Sequence, residues 1–212
     1  MDLFCYGDQV FTTLYDQEIR SYTGSGSLTM NLITTDNRPK TIYADDKYLM
    51  VMQNPVGTET HILKVYHAQT RAFLWQLQVP MDVVSICKLD DDKVLLFGND
   101  GNQARVLQYE VVNNGYWQPR QLPEGKLLDA EKMDGQTFAI AHEMGLYSYT
   151  YNPNFLNQIR PLVYQDVCYD VAANVLVAAS SNMLEEISVS GQVLNIITHS
   201  DSIGSIGVHY TR

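Results

Sequence analysis

Short apolar runs rich in Val, Ile, Leu and Tyr recur along the chain, and turn-forming residues separate them. One unit occurs five times: a strand, a short and usually acidic turn, a polar residue, and a second apolar strand. The polar residues that mark this unit are Gln9, Lys47, Lys93, Gln136 and Asn174. Their spacings of 38, 46, 43 and 38 residues are close to the roughly 40 residues that form one four-stranded propeller blade.

The rest of each unit follows the same plan. After the second strand comes a third that carries Tyr or Ile, then a turn, then a fourth strand such as 28–34, 72–79 or 193–198. Residues 183–187 contain helix formers but fall where the repeat predicts a strand. Variation in length is expected in loops at 54–60 and 98–102.

These observations predict an all-β protein, a β-propeller of about five four-stranded blades plus one extra C-terminal strand. Residues 1–212 are predicted to form one propeller domain. Its blades are expected at 1–36, 37–81, 82–126, 127–166 and 167–201, and the extra strand at 202–212. A β-sandwich is the alternative, but a sandwich has no reason to repeat one four-strand pattern at one interval. No blade can bury both faces alone, so stacking supplies the core.

The extra strand leaves two ways to complete the ring. Either residues 202–212 close a five-bladed ring by pairing with the first repeat, or the chain is part of a larger ring of six to eight blades. Either arrangement would cover the open edges of the blades, which otherwise expose unpaired backbone groups and promote aggregation. A fragment or domain of a longer protein is the favoured interpretation.

The second and third repeats resemble a known superfamily. Residues 65–75 look like the passage from third strand through turn to fourth strand in WD40-like and quinoprotein-like (YVTN-type) propellers, and residues 83–90 and 94–98 continue the likeness. The resemblance implies a β-propeller fold.

Composition and charge narrow the function classes. The chain has 14 Lys plus Arg against 24 Asp plus Glu, a net charge of −10, which argues against a nucleic-acid binder and favours a basic protein partner. No apolar stretch approaches the roughly 20 residues of a membrane-spanning helix, so membrane insertion is not expected. No signal peptide is recognisable, and Cys5, Cys87 and Cys168 are predicted to be buried free thiols. Together these features favour an intracellular protein, although a removed leader would leave no trace.

Aromatic residues in the variable segments are the candidate binding site. Tyr116, Trp117 and Arg120 adjoin an Asn-Asn-Gly turn, and Tyr151 and Phe155 flank an Asn-Pro-Asn turn. Tyr, Trp and Arg are enriched at the energetic centres of protein interfaces. Other aromatics at repeat-equivalent positions are expected to pack between blades.

No catalytic, metal-binding or cofactor-binding residue is predicted. The acidic turns 45–46 and 90–92 are expected on one rim of the ring, but they lack the spacing of calcium ligands and are ordinary turn chemistry. The leading hypothesis is therefore a non-enzymatic module of a larger protein that binds another protein. The alternative is a carbohydrate-active or other small-ligand propeller, a hydrolase, lyase or lectin-like protein, with a site at the central channel. Carboxylates converging there would favour that alternative.

Overall fold

The computed structural model describes residues 3–7, 9–14, 17–23, 25–34, 37–54 and 60–207. Twenty-one strands in these ranges form five antiparallel sheets, each built from consecutive strands. The all-β, five-bladed propeller predicted from the repeats is confirmed. Within the described part of the chain, no helix has the length and apolar character needed to cross a membrane.

The strands are numbered in chain order. Blade 1 contains β1 (Leu3–Tyr6), β2 (Gln9–Thr13), β3 (Glu18–Thr23) and β4 (Leu28–Thr34); blade 2 contains β5 (Arg38–Ala44), β6 (Tyr48–Asn54), β7 (His61–His67) and β8 (Phe73–Val79). Blade 3 contains β9 (Asp82–Asp90), β10 (Lys93–Asp100), β11 (Gln103–Glu110), β12 (Gly115–Tyr116) and β13 (Arg120–Glu124). Blade 4 contains β14 (Leu127–Asp134), β15 (Thr137–His142), β16 (Gly145–Thr150) and β17 (Phe155–Arg160); blade 5 contains β18 (Asp166–Asp170), β19 (Val175–Ser180), β20 (Met183–Ser188) and β21 (Val193–Thr198).

The repeat marker lies where each blade turns from its first strand to its second. In blade 4 Gly135, directly before the marker Gln136, has φ +48°, and in blade 5 the marker Asn174 itself has φ +55°. Both residue types tolerate this left-handed conformation. The helix formers at 183–187 lie in strand β20, as the repeat predicted.

Apolar clusters fill the spaces between successive blades. Buried side chains join blade 1 to blade 2, blade 2 to blade 3, blade 3 to blade 4 and blade 4 to blade 5. Among the described residues, no cluster of this kind joins blade 5 to blade 1. The core is therefore a series of four sheet-to-sheet junctions, which is how a propeller buries surface that one blade cannot.

Polar contacts at three junctions follow a common plan, in which the outer part of one blade reaches a third strand of the next. Trp75 Nε1 of β8 donates to Tyr109 Oη of β11 at 2.8 Å. Arg120 Nη1 of β13 donates to Tyr151 O, directly after β16, at 2.6 Å, and Arg160 of β17 lies 3.4 Å from Glu185 of β20. These pairs link neighbouring blades at their periphery, whereas the apolar clusters link them inside.

Two sequence-based expectations were wrong in detail. Residues 98–100 continue strand β10 instead of forming a loop. Gly98 is needed there because a Cβ would lie 2.4 Å from the backbone oxygen of Asp82 on β9. The fourth strand of blade 3 is also not continuous: it is divided into β12 and β13, which both pair with β11.

The C-terminal strand predicted at 202–212 has no counterpart in residues 202–207, which form no strand; residues 208–212 lie outside the described residues. The described part runs along blade 5, where Ile203 N donates to Ser181 O at 2.7 Å. Ile206 N then donates to Asp166 Oδ2 at 2.8 Å. Most of the loop predicted at 54–60 likewise lies outside the described residues.

Candidate functional site

A groove on the rim between blades 3 and 4 contains three of the five residues singled out in the sequence. Trp117, Arg120 and Tyr151 line it, together with Leu89, Asp90, Lys93, Gln108, Gln118, Gln136 and Asn152. We call it the rim groove. It encloses about 510 Å³, within the range of about 300–1,000 Å³ that is usual for ligand clefts.

The rim groove lies where the repeat is interrupted. Fourth strands in the other blades are continuous over six or seven residues, but in blade 3 residues 117–119 separate β12 from β13. Trp117 lies in this interruption and is 62% exposed. Its backbone N still donates to Gln108 O of β11 at 3.0 Å, which holds the segment against the sheet.

Arg120 and Tyr151 form one wall of the rim groove. The guanidinium carbon of Arg120 lies 3.9 Å from the centre of the Tyr151 ring, and Arg120 Nη1 donates to Tyr151 O at 2.6 Å. Tyr151 is itself buried, and its Oη donates to Gln108 Oε1 at 3.1 Å. Stacking and hydrogen bonding therefore hold this wall rigid, and both residues also serve the junction between blades 3 and 4.

Each charged side chain near the indole has a partner within the chain. Glu110 accepts from Asn113 Nδ2 at 3.0 Å and from Trp117 Nε1 at 3.3 Å, and these hydrogen bonds lower the pKa of Glu110. Lys93 Nζ donates to Asp90 Oδ2 at 3.1 Å. Lys93 and Asp90 thus neutralise each other, and Arg120 and Glu110 carry opposite charges, so the rim groove has little net charge.

Tyr116 and Phe155 do not line the rim groove but lie near it. Tyr116 is opposite Tyr109 in the β11–β12 pair, and Phe155 is opposite Thr150 in the β16–β17 pair. Both are exposed, at 43% and 60%. They share the rim with the groove because these strand ends and the β9–β10 and β14–β15 turns all lie at one end of the sheets.

Sequence reasoning missed the amide side chains of the rim groove, which are Gln108, Gln118, Gln136 and Asn152. Gln118 was adjacent to the predicted cluster, and Gln136 is a repeat marker, so each had a signal in the sequence. What the sequence did not show was that three segments, 108–120, 136 and 151–152, meet across a junction between blades.

The central channel is a second concave site. First strands from all five blades line a cavity of about 260 Å³, along with residues 205–207. Three carboxyl groups, those of Asp129, Glu131 and Asp166, are in its lining, which contains no Lys, Arg or His among the described residues. Cys5 and Cys168 also line it and are only partly buried, whereas Cys87 is buried. The prediction of buried thiols is therefore right only for Cys87.

Hydrogen bonds in the channel tie successive blades together. Ser85 Oγ of blade 3 donates to Asp129 Oδ1 at 2.6 Å, and Val167 N of blade 5 donates to Asp129 Oδ2 at 3.0 Å. Asp129 also hydrogen-bonds Asp166, and burial together with that contact raises the pKa of Asp129 well above its ordinary value. Burial, with a smaller effect of Asp166, raises the pKa of Glu131 to about 7.

The acidic turns lie on one rim, as expected, since Lys47 Nζ beside the first turn is 3.5 Å from Asp92 of the second. Asp45 serves its own turn: Oδ1 accepts from Lys47 N at 2.8 Å and from Tyr48 N at 2.7 Å, and Oδ2 accepts from Tyr43 Oη. These hydrogen bonds are typical of an Asp residue that stabilises its own turn.

Comparison with known proteins gives information about the fold. No protein-family profile matches the chain, and no curated protein sequence matches it. Among solved structures, it is similar to a chain in the crystal structure of a mitotic checkpoint complex, with a TM-score of 0.67 and 13% identity over 94% of this chain. The match spans 66% of the length of that chain. At this identity the likeness shows the fold alone, and it confirms a β-propeller.

Proposed function

We propose that this protein is a non-enzymatic propeller module that binds another protein through the rim groove. The observation that carries the proposal is Trp117, which is 62% exposed in the interrupted fourth strand of blade 3, beside the wall formed by Arg120 and Tyr151. Trp and Arg are among the residue types enriched at the energetic centres of protein interfaces. Tyr116 and Phe155 extend the same surface on either side.

The partner is proposed to be a protein with basic character. The net charge of −10 attracts a basic protein at long range and speeds its association. The similar chain comes from the crystal structure of a mitotic checkpoint complex, which supports protein partners in general. The match over 66% of that chain also supports the proposal that these blades are part of a larger propeller.

An affinity-enrichment experiment tests the proposal. The chain, Trp117→Ala and Met144→Ala are used as baits, with the enriched proteins quantified by mass spectrometry. Met144 is a matched control because it is 56% exposed and lies in the β15–β16 turn, on the opposite rim. A protein retained by the chain and by Met144→Ala but lost with Trp117→Ala supports the proposal. Equal retention by all three baits contradicts it.

The central channel supports a second candidate, a small-ligand or saccharide site. Three carboxyl groups line one cavity, which is the convergence expected of a carbohydrate-active propeller. However, Asp129 and Asp166 interact with each other, whereas the two carboxyl groups of a glycosidase act on the substrate from separate positions around the scissile bond. Both also bind backbone amides of neighbouring segments. The geometry therefore favours a role in joining blades, and we rank this candidate below protein binding.

A further inference from the structure

The groups left free in the rim groove indicate what kind of segment it binds. Among the residues that the structure describes, the side-chain amides of Gln118, Gln136 and Asn152 have no hydrogen-bond partner. The charged groups beside them are already engaged: Lys93 bonds Asp90, Glu110 bonds Trp117, and Arg120 bonds and stacks on Tyr151. What the groove offers to a ligand is therefore an exposed indole face and three amides, with little net charge.

This combination suits one class of ligand. An exposed indole prefers an apolar or ring-shaped side chain, and amide N–H groups donate to carbonyl oxygens. An extended segment in the polyproline II conformation presents both, because its carbonyls have no internal partners and its backbone is already ordered. Such a segment also loses little conformational entropy on binding.

We infer that the rim groove binds an extended, uncharged, proline-rich segment of the partner, which packs on Trp117 and accepts hydrogen bonds from Gln118, Gln136 and Asn152. The inference rests on the proposed function and narrows it to a segment class. Long-range attraction and local recognition are then separate: the overall negative charge steers the partner, and the neutral groove selects the segment.

Tryptophan fluorescence tests the inference, since the chain contains two Trp residues and only Trp117 is strongly exposed. The Trp75→Phe variant, which retains Trp117 alone, is titrated with decaproline, hexalysine, hexaglutamate and maltohexaose. Decaproline is expected to shift the emission saturably. In the intact chain, Trp117→Ala should weaken decaproline binding about tenfold or more, measured by calorimetry.

Matched variants separate the groove from the rest of the surface. Gln118→Ala combined with Gln136→Ala should weaken decaproline binding, whereas Met144→Ala should not. No binding of decaproline overturns the inference, as does a Trp117 signal with hexalysine, hexaglutamate or maltohexaose alone. If a protein is captured in a Trp117-dependent way but decaproline does not bind, the proposed function stands and this inference falls.

Discussion

The Trp75 indole donates its Nε1 hydrogen to Tyr109 Oη, 2.8 Å away across the junction of blades 2 and 3. Tyr109 in turn donates to Asn114 Oδ1 at 3.0 Å. Blade 4 has a related arrangement one repeat later, where Tyr149 donates to Asn154 Oδ1 at 2.9 Å and Arg120 of blade 3 donates to the backbone oxygen of Tyr151 at 2.6 Å. The end of the third strand is therefore where each of these two blades is bonded to the blade before it.

Replacing Trp75 with Phe should lower the free energy of unfolding by about 1–2 kcal/mol, because a junction hydrogen bond is lost and Tyr109 Oη loses a donor. Urea denaturation followed by far-UV circular dichroism measures the effect. Trp117→Phe is the control, with an expected change within about 0.5 kcal/mol because that residue is exposed. Equal effects of the two variants would mean that Trp75 does not pin the blades.

Gly98→Ala should destabilise the chain by about 2–3 kcal/mol, since the new methyl group would meet backbone atoms of β9 that cannot yield as a side chain can. The closest is Asp82 O, which would lie 2.4 Å from the added Cβ. Gly204→Ala is the matched control, because nothing lies within 4 Å of its Cβ position. Thermal unfolding of the two variants side by side gives the comparison. A Gly98→Ala variant as stable as the parent chain would show that β9 and β10 are not so close.

The repeat spacing predicted most of the fold because each blade has the same order of turns and apolar strands. Polar markers such as Gln136 and Asn174 lie at turns whose backbone needs Gly or Asn, and the apolar strands between them pack on neighbouring blades. The interruption at 117–119 was not predictable in the same way. Pro119 hinted at it, but whether an outer strand divides depends on its contacts across the junction, and those are set by residues far apart in sequence.

The candidate site was predictable only in part for a related reason. Trp117, Arg120 and Tyr151 were found from residue type and from their places beside variable turns. The burial of Tyr151, and its stacking against Arg120 at 3.9 Å, depend on how blades 3 and 4 are arranged. Asp129 and Asp166 were missed because their contact joins first strands that are separate in sequence and meet only at the channel.

Stability should fall as pH rises from about 4.5 to about 7. The pKa of Glu131 is raised to about 7 in the folded chain from 4.5, so the protonated carboxyl favours the folded state, and its contribution is lost as the pH passes the higher value. Asp129 acts in the same direction. Urea midpoints measured across this range should fall less steeply for Glu131→Gln than for the parent chain.

The control for this pH dependence is Glu124→Gln, which removes an exposed carboxyl group of β13. Its urea midpoint should change with pH in parallel with that of the parent chain. A Glu131→Gln profile that also runs parallel to the parent would show that Glu131 ionises in the folded chain as it does in the unfolded one.

Site-specific photocrosslinking tests directly whether the rim groove is the protein-binding surface. A photoreactive phenylalanine analogue is placed at position 118 in the rim groove and, in a second protein, at position 144 on the opposite rim. We expect a discrete crosslinked partner from position 118, absent from position 144 and lost when Trp117→Ala is added. The same crosslinked product from both positions, or one that persists without Trp117, would contradict it.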